Sequence, residues 1–149
     1  MSKMINIDRD IIDPYYRYKM PRIIGQYKGR GNGCKTVITN LSDVAKSLSR
    51  EPTEILKYIG YSTGSQTSIT KDDEYIVNGF IENEDLLKHI YTYAETFVIC
   101  PTCRNPETKY KLRSKKVHTK CAACGSMDEL IEHKLVNYIK KMKDKHNIG

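Results

Sequence analysis

The sequence predicts an α/β fold: a small mixed sheet with helices, followed by a cysteine-held C-terminal ribbon and a terminal helix. Three observations carry this. Residues 42–60 and 82–96 place apolar side chains at helical spacing. Short runs of β-prone residues lie around them, bounded by turn residues. Four cysteines then fall into two CxxC pairs, Cys100-Pro-Thr-Cys103 and Cys121-Ala-Ala-Cys124, separated by seventeen residues.

Residues 1–13 read as loosely attached and 14–36 as irregular, with Pro14, Pro21 and Gly25, Gly29, Gly31 and Gly33. Val37, Ile38 and Thr39 read as a short strand. Ser42 is a plausible N-cap for a helix to about Leu48. Thr53 caps a second helix, carrying Ile55, Leu56 and Ile59, that Gly60 stops. Thr67–Thr70 and Glu74–Asn78 flank Lys71-Asp72-Asp73 as a hairpin. Glu82 to about Thr96 is a long amphipathic helix with Leu86, Leu87, Ile90, Tyr93 and Ala94 inward. The ribbon runs from Val98 to about Gly125. A last helix, Met127 to about Lys143, carries a Leu130/Ile131/Leu135/Val136/Ile139 stripe expected to pack back onto the rest. The expected organisation is an α/β domain over 1–97, with a mobile N-terminal tail, and a ribbon plus helix over 98–149.

The cysteine spacing is that of a zinc ribbon. Each CxxC turn presents two thiolates to one ion, and two turns complete a tetrahedron. Cys100, Cys103, Cys121 and Cys124 are therefore the expected ligands of one structural Zn2+. Four thiolates leave no position for a substrate water. The rival readings are a redox pair or two disulfides, but a redox motif needs no second CxxC at this distance. No segment approaches the about 18 apolar residues that span a membrane. The N-terminus lacks the apolar core of a signal peptide. Both point to a cytoplasmic protein, where metal binding outranks disulfides. Cys34 reads as a small, partly buried residue.

The net charge of +7 is uneven. Residues 14–42 hold six basic residues and no acid, 43–97 hold five basic and ten acidic, and 98–120 hold seven basic and one acidic. Basic stretches suit a polyanion such as RNA. Lys19, Arg22, Arg30 and Lys35 are the candidates in the first stretch, set against the plain alternative of a solvated surface. Gly29-Arg30-Gly31-Asn32-Gly33-Cys34-Lys35-Thr36 looks like a phosphate-binding P-loop but fails the pattern: Cys34 stands where Gly should precede the Lys, and strand rather than helix follows. The scattered histidines make no catalytic set, and no intrinsic hydrolase is expected.

Tyr15-Tyr16-Arg17-Tyr18-Lys19-Met20-Pro21-Arg22, Gly29-Arg30-Gly31-Asn32-Gly33 with Lys35-Thr36-Val37-Ile38, Asp43-Val44-Ala45-Lys46, Tyr75-Ile76-Val77-Asn78-Gly79 and Cys100-Pro-Thr-Cys103-Arg-Asn-Pro-Glu-Thr108 together resemble the N-terminal domain of eukaryotic translation initiation factor five. The resemblance covers about residues 4–140. It implies a protein that promotes GTP hydrolysis by the gamma subunit of initiation factor two on the scanning small ribosomal subunit, supports start-codon selection, and sits near initiator tRNA and mRNA. It implies a monomer, Arg17 as the GTPase-activating residue acting in trans, and Lys35 and Lys57 as further contact residues. A guanidinium supplied to another protein's site stabilises the charge that develops on the transferring phosphoryl group. The beta subunit of initiation factor two shares a similar ribbon and α/β unit, so the alternative is a non-activating RNA- or tRNA-binding module. Members of that family continue into a linker and a helical-repeat domain, whereas this sequence ends at Gly149; Cys34 also replaces a usual aliphatic residue.

Overall fold

Backbone pairing begins almost at once. In the computed structural model, which describes residues 4–29, 33–113, 116–130 and 134–146, β1 (Met4–Asn6) pairs antiparallel with β2 (Lys19–Pro21). Ile7 and Asp8 are buried directly after it. The expectation of a loose 4–13 therefore gives way to an anchored segment, because Ile7 and Met20 join the core. The loop carrying Arg17 is closed at both ends by β1 and β2.

The 14–36 stretch is likewise more regular than its glycines suggested. Strand β3 (Gly25–Lys28) joins β4 (Lys35–Ile38), β5 (Thr67–Ile69) and β6 (Tyr75–Asn78) in an antiparallel sheet of order β3-β4-β6-β5. Lys28 faces Lys35 across the first pair, and Ile69 faces Tyr75 in the hairpin anticipated around 71–73. Asn40 is buried between the layers. Its side-chain nitrogen donates to the Arg22 carbonyl at 2.8 Å and its oxygen accepts from the Ile24 N–H at 2.9 Å. One amide thus holds the crossing from β2 to β3.

Helix α1 (Leu41–Ser47) starts at Asn40, not at the expected Ser42, which is exposed. It ends where Ser49 turns left-handed and the Arg50 N–H reaches back to Ala45. Helix α2 (Pro52–Thr63) has Pro52 in its first turn, where no N–H is needed, in place of a Thr53 cap. Gly60 does not stop it. The helix runs on to Gly64, at φ +68°, while a Cβ on Gly60 would meet Thr67 at 2.9 Å. Gly60 is there so that β5 can start close to the helix.

Helix α3 (Asn83–Tyr93) buries the anticipated face and relaxes into a π-helical turn, Ala94–Val98. That turn leads into the ribbon: β7 (Thr108–Arg113), β8 (Lys116–Cys121) and β9 (Met127–Glu129), antiparallel in that order. The helix expected from Met127 begins later, as α4 (Lys134–His146), because Met127–Glu129 pair with β8 first. Helix α4 packs against α2 and β8 and buries Leu135 and Ile139 completely or nearly so. Each such side chain contributes about 1.5–3 kcal/mol. Ile131, part of the predicted stripe, lies outside the described residues. The hydrophobic cluster is continuous from Ile7 through Tyr93 and Phe97 to Ile139.

Candidate functional site

The four cysteines meet. Their sulfurs lie within 4.8 Å of one another, with Cys100 and Cys124 at 3.7 Å and Cys103 and Cys121 at 3.6 Å. A tetrahedral ion about 2.3 Å from each sulfur gives edges of about 3.8 Å. The donors and spacing therefore fit one metal ion, with no coordination position left open.

Each CxxC makes the same backbone turn. The Arg104 N–H donates to the Cys100 carbonyl at 2.8 Å, and the Gly125 N–H to the Cys121 carbonyl at 3.0 Å. Cys100 and Cys121 in turn donate to the carbonyls of Asn105 and Ser126, both at 2.9 Å. The fifth residue is left-handed in each: Arg104 at φ +65°, Gly125 at φ +77°. Burial works against ionisation of Cys121, but hydrogen bonds to its sulfur from the Cys124 and Ala123 N–H groups and from the Cys103 and Cys124 thiols together outweigh it and draw the thiol down to about 7. Oriented amides favour the thiolate that a metal needs.

Two arginines tie this ribbon to the rest. Arg104 donates through Nε and Nη2 to the Asp8 carboxylate at 3.2 and 3.0 Å. Arg50, from the turn between α1 and α2, donates to the carbonyls of Thr108 at 2.7 Å and Phe97 at 2.8 Å, and to Thr108 Oγ1 at 2.8 Å. It also stacks 4.3 Å over Tyr110. Beneath it Tyr93 and Tyr110 both donate to the Glu54 carboxylate. Burial raises the Glu54 pKa above its ordinary value, and the two tyrosine donors only partly offset this. Sequence reading missed all of these. Glu54 alone left a trace, as a carboxylate one turn before Tyr58 on an otherwise apolar helix face.

The predicted phosphate-binding residues divide. Arg17 is exposed, with its guanidinium 5.7 Å from the Tyr18 ring centre and no ion pair or hydrogen bond among the described residues. Arg22, five residues further on, is also exposed. Lys19 is engaged instead, donating to Asn6 Oδ1 at 2.6 Å. Lys35 sits half-buried on β4 opposite Lys28, which Glu74 pairs at 3.2 Å. Lys57 is on α2 with its ammonium over Tyr138 of α4. Arg30 lies outside the described residues. A basic face absent from the candidate set belongs to the ribbon: Lys109 opposite Lys120 and Lys111 opposite His118 alternate with the inward Tyr110, Val117 and Thr119.

An α/β unit carrying a four-cysteine ribbon and a basic, aromatic N-terminal loop defines the class. A sequence family described as a domain found in initiation factors 2B and 5 matches residues 8–127. The chain is similar to eukaryotic translation initiation factor 5 of Caenorhabditis elegans, with 41% identity over 97% of this chain and 34% of that protein. It is 45% identical to the Mus musculus factor over 92% of this chain and 33% of that protein, and 42% identical to the Saccharomyces cerevisiae factor over 92% and 35%. The chain belongs to this family, as a counterpart of the N-terminal domain of initiation factor 5. It spans about a third of the length of these relatives. No helix among the described residues is long and apolar enough to cross a membrane.

Proposed function

We propose that this chain acts in the cytoplasm as a translation initiation module that promotes GTP hydrolysis by initiation factor two in trans, with Arg17 as the activating residue, and so supports start-codon selection. The observation that carries the reading is the state of Arg17: an exposed guanidinium, unpaired among the described residues, on an anchored loop between Tyr16 and Tyr18. A charged group with no ion pair or hydrogen bond among the described residues is free to enter another protein's site. There it meets negative charge spreading over the phosphoryl oxygens, where a finger arginine is commonly worth about 10³–10⁵ in rate. The backbone on either side is held, so less conformational freedom is lost when it docks.

In this reading the ribbon holds one Zn2+ through Cys100, Cys103, Cys121 and Cys124. The ion is structural and takes no part in the hydrolysis. Lys35, Lys57, Arg22, Arg30 and Lys19 are proposed contacts to initiator tRNA, mRNA or the small subunit, with Lys19 the least available. The ribbon's Lys109/Lys111/His118/Lys120 face supports RNA contact under either reading, including that of a non-activating tRNA-binding module. Single-turnover GTP hydrolysis in the preinitiation complex separates the two. Arg17→Ala is expected to lower the stimulated rate at least a hundredfold while complex binding persists. Unchanged stimulation leaves the non-activating module.

A further inference from the structure

The two cysteine turns need the same left-handed residue at their fifth position, yet only the second uses glycine. Glycine takes that conformation at no steric cost, whereas arginine does not. Something outside the turn must hold Arg104 there. Its guanidinium grips Asp8 with two nitrogens and reaches Asp10 at 3.4 Å. Asp8 is 1% exposed, so its carboxylate depends on these donors. The same carboxylate accepts the Asp10 N–H at 3.0 Å, and the Asp8 carbonyl accepts the Ile11 N–H at 3.1 Å. Asn6 donates to the carbonyls of Ile11 and Asp13, and Asp13 accepts from the N–H groups of Tyr15 and Tyr16. That chain of bonds arrives at Arg17 from its N-terminal side.

From the other side the anchor is Tyr18. Its hydroxyl donates to Glu107 at 2.9 Å and accepts from Asn105 at 3.3 Å, while its carbonyl accepts the Ile7 N–H at 3.0 Å. Both arms of the loop therefore land on residues 104–107, the segment that directly follows the ligand Cys103. We propose that Arg104 is a positioning residue for Arg17, so that the metal-holding turn also sets the geometry of the activating loop. The catalytic half of this rests on the reading of Arg17 above; the structural half stands on the contacts alone.

Arg104→Gly tests it, because glycine keeps the left-handed turn at no steric cost while removing the side chain that carries the guanidinium. Asp8→Asn tests it from the opposite partner. In the full chain, amide exchange at Ile7, Ile11 and Tyr16 is expected to rise at least tenfold in both variants, with β7–β8 amides unchanged. Maximal stimulated GTP hydrolysis is expected to fall about tenfold, with the half-saturating concentration of the protein unchanged. Unchanged exchange in the loop overturns the inference, whatever Arg17→Ala does. Faster exchange with an undiminished rate, where Arg17→Ala does abolish stimulation, overturns the positioning role. An inert Arg17→Ala instead sinks the activator reading and leaves the clamp to the exchange result.

Discussion

The first and second cysteine turns share one backbone and differ in surroundings. The second is largely self-contained: Gly125 meets its conformational need, its carbonyl accepts from Lys120 at 2.9 Å, and open space lies where a Cβ would go. The first is built into the molecule, with Arg104 on Asp8, Asn105 and Glu107 on Tyr18, and Arg50 on Thr108 just beyond. The turn itself follows from thiolate and amide geometry. What stands at its fifth position is decided by whether a neighbour needs a side chain there.

Removing the proposed ion acts on both turns and has the largest expected effect. Structural thiolate sites contribute on the order of 10 kcal/mol to folding. Chelation should abolish amide protection in β7–β9 before it touches the α2/α3 layer, as hydrogen exchange will report. Protection that survives chelation means the backbone bonds hold the turns unaided.

Arg50→Met follows, as a break in the first turn's attachment with no parallel at the second. It leaves two carbonyls and the Glu54 carboxylate without their cation, an expected loss of about 3–5 kcal/mol in urea unfolding. A loss comparable to an ordinary surface change would mean that β7 is held by apolar packing alone.

Gly125→Ala sharpens the comparison at the other turn. With no atom in the way, its cost is conformational only, roughly 1–2 kcal/mol. A smaller shift of the unfolding midpoint would show the turn tolerating a side chain without help, and would weaken the reason given for Arg104.

Glu54→Gln has the smallest effect and shows as pH dependence. The folded pKa is raised, so the folded state binds the proton more tightly. Glu54 therefore favours folding below the ordinary carboxylate range, and this contribution is lost as pH rises through its raised value. Wild-type stability should fall across that window relative to Glu54→Gln, and the two curves should converge at low pH. A constant offset between them would place the titrating group elsewhere.

Much of the fold was legible where local physics is strong. The helical faces of 53–59 and 86–94, the hairpin around 71–73 and the cysteine pairing all follow from spacing. Errors gathered where distant partners decide. Ile7 and Met20 order a segment that composition marks as loose, Asn40 takes the start of α1 from Ser42, and pairing with β8 turns Met127–Glu129 into a strand. Gly60 was read as a stop because its close approach to Thr67 is invisible along the chain.

By itself the sequence marked the four cysteines that the fold brings together as a group able to hold a metal ion, since two CxxC turns at this spacing are read from the chain directly. Arg17 was singled out only through the resemblance of Tyr15–Arg22 to the family motif; composition alone marked the stretch as acid-free. Only the tertiary structure decided that Lys19 is hydrogen-bonded to Asn6 while Arg17 has no ion pair or hydrogen bond among the described residues, and that the Arg17 loop is fastened to the ribbon through Asp8 and Tyr18. The Asp8–Arg104 and Tyr18–Glu107 contacts join residues 96 and 89 apart in sequence. Their geometry depends on the packed core and is encoded in no short stretch of chain.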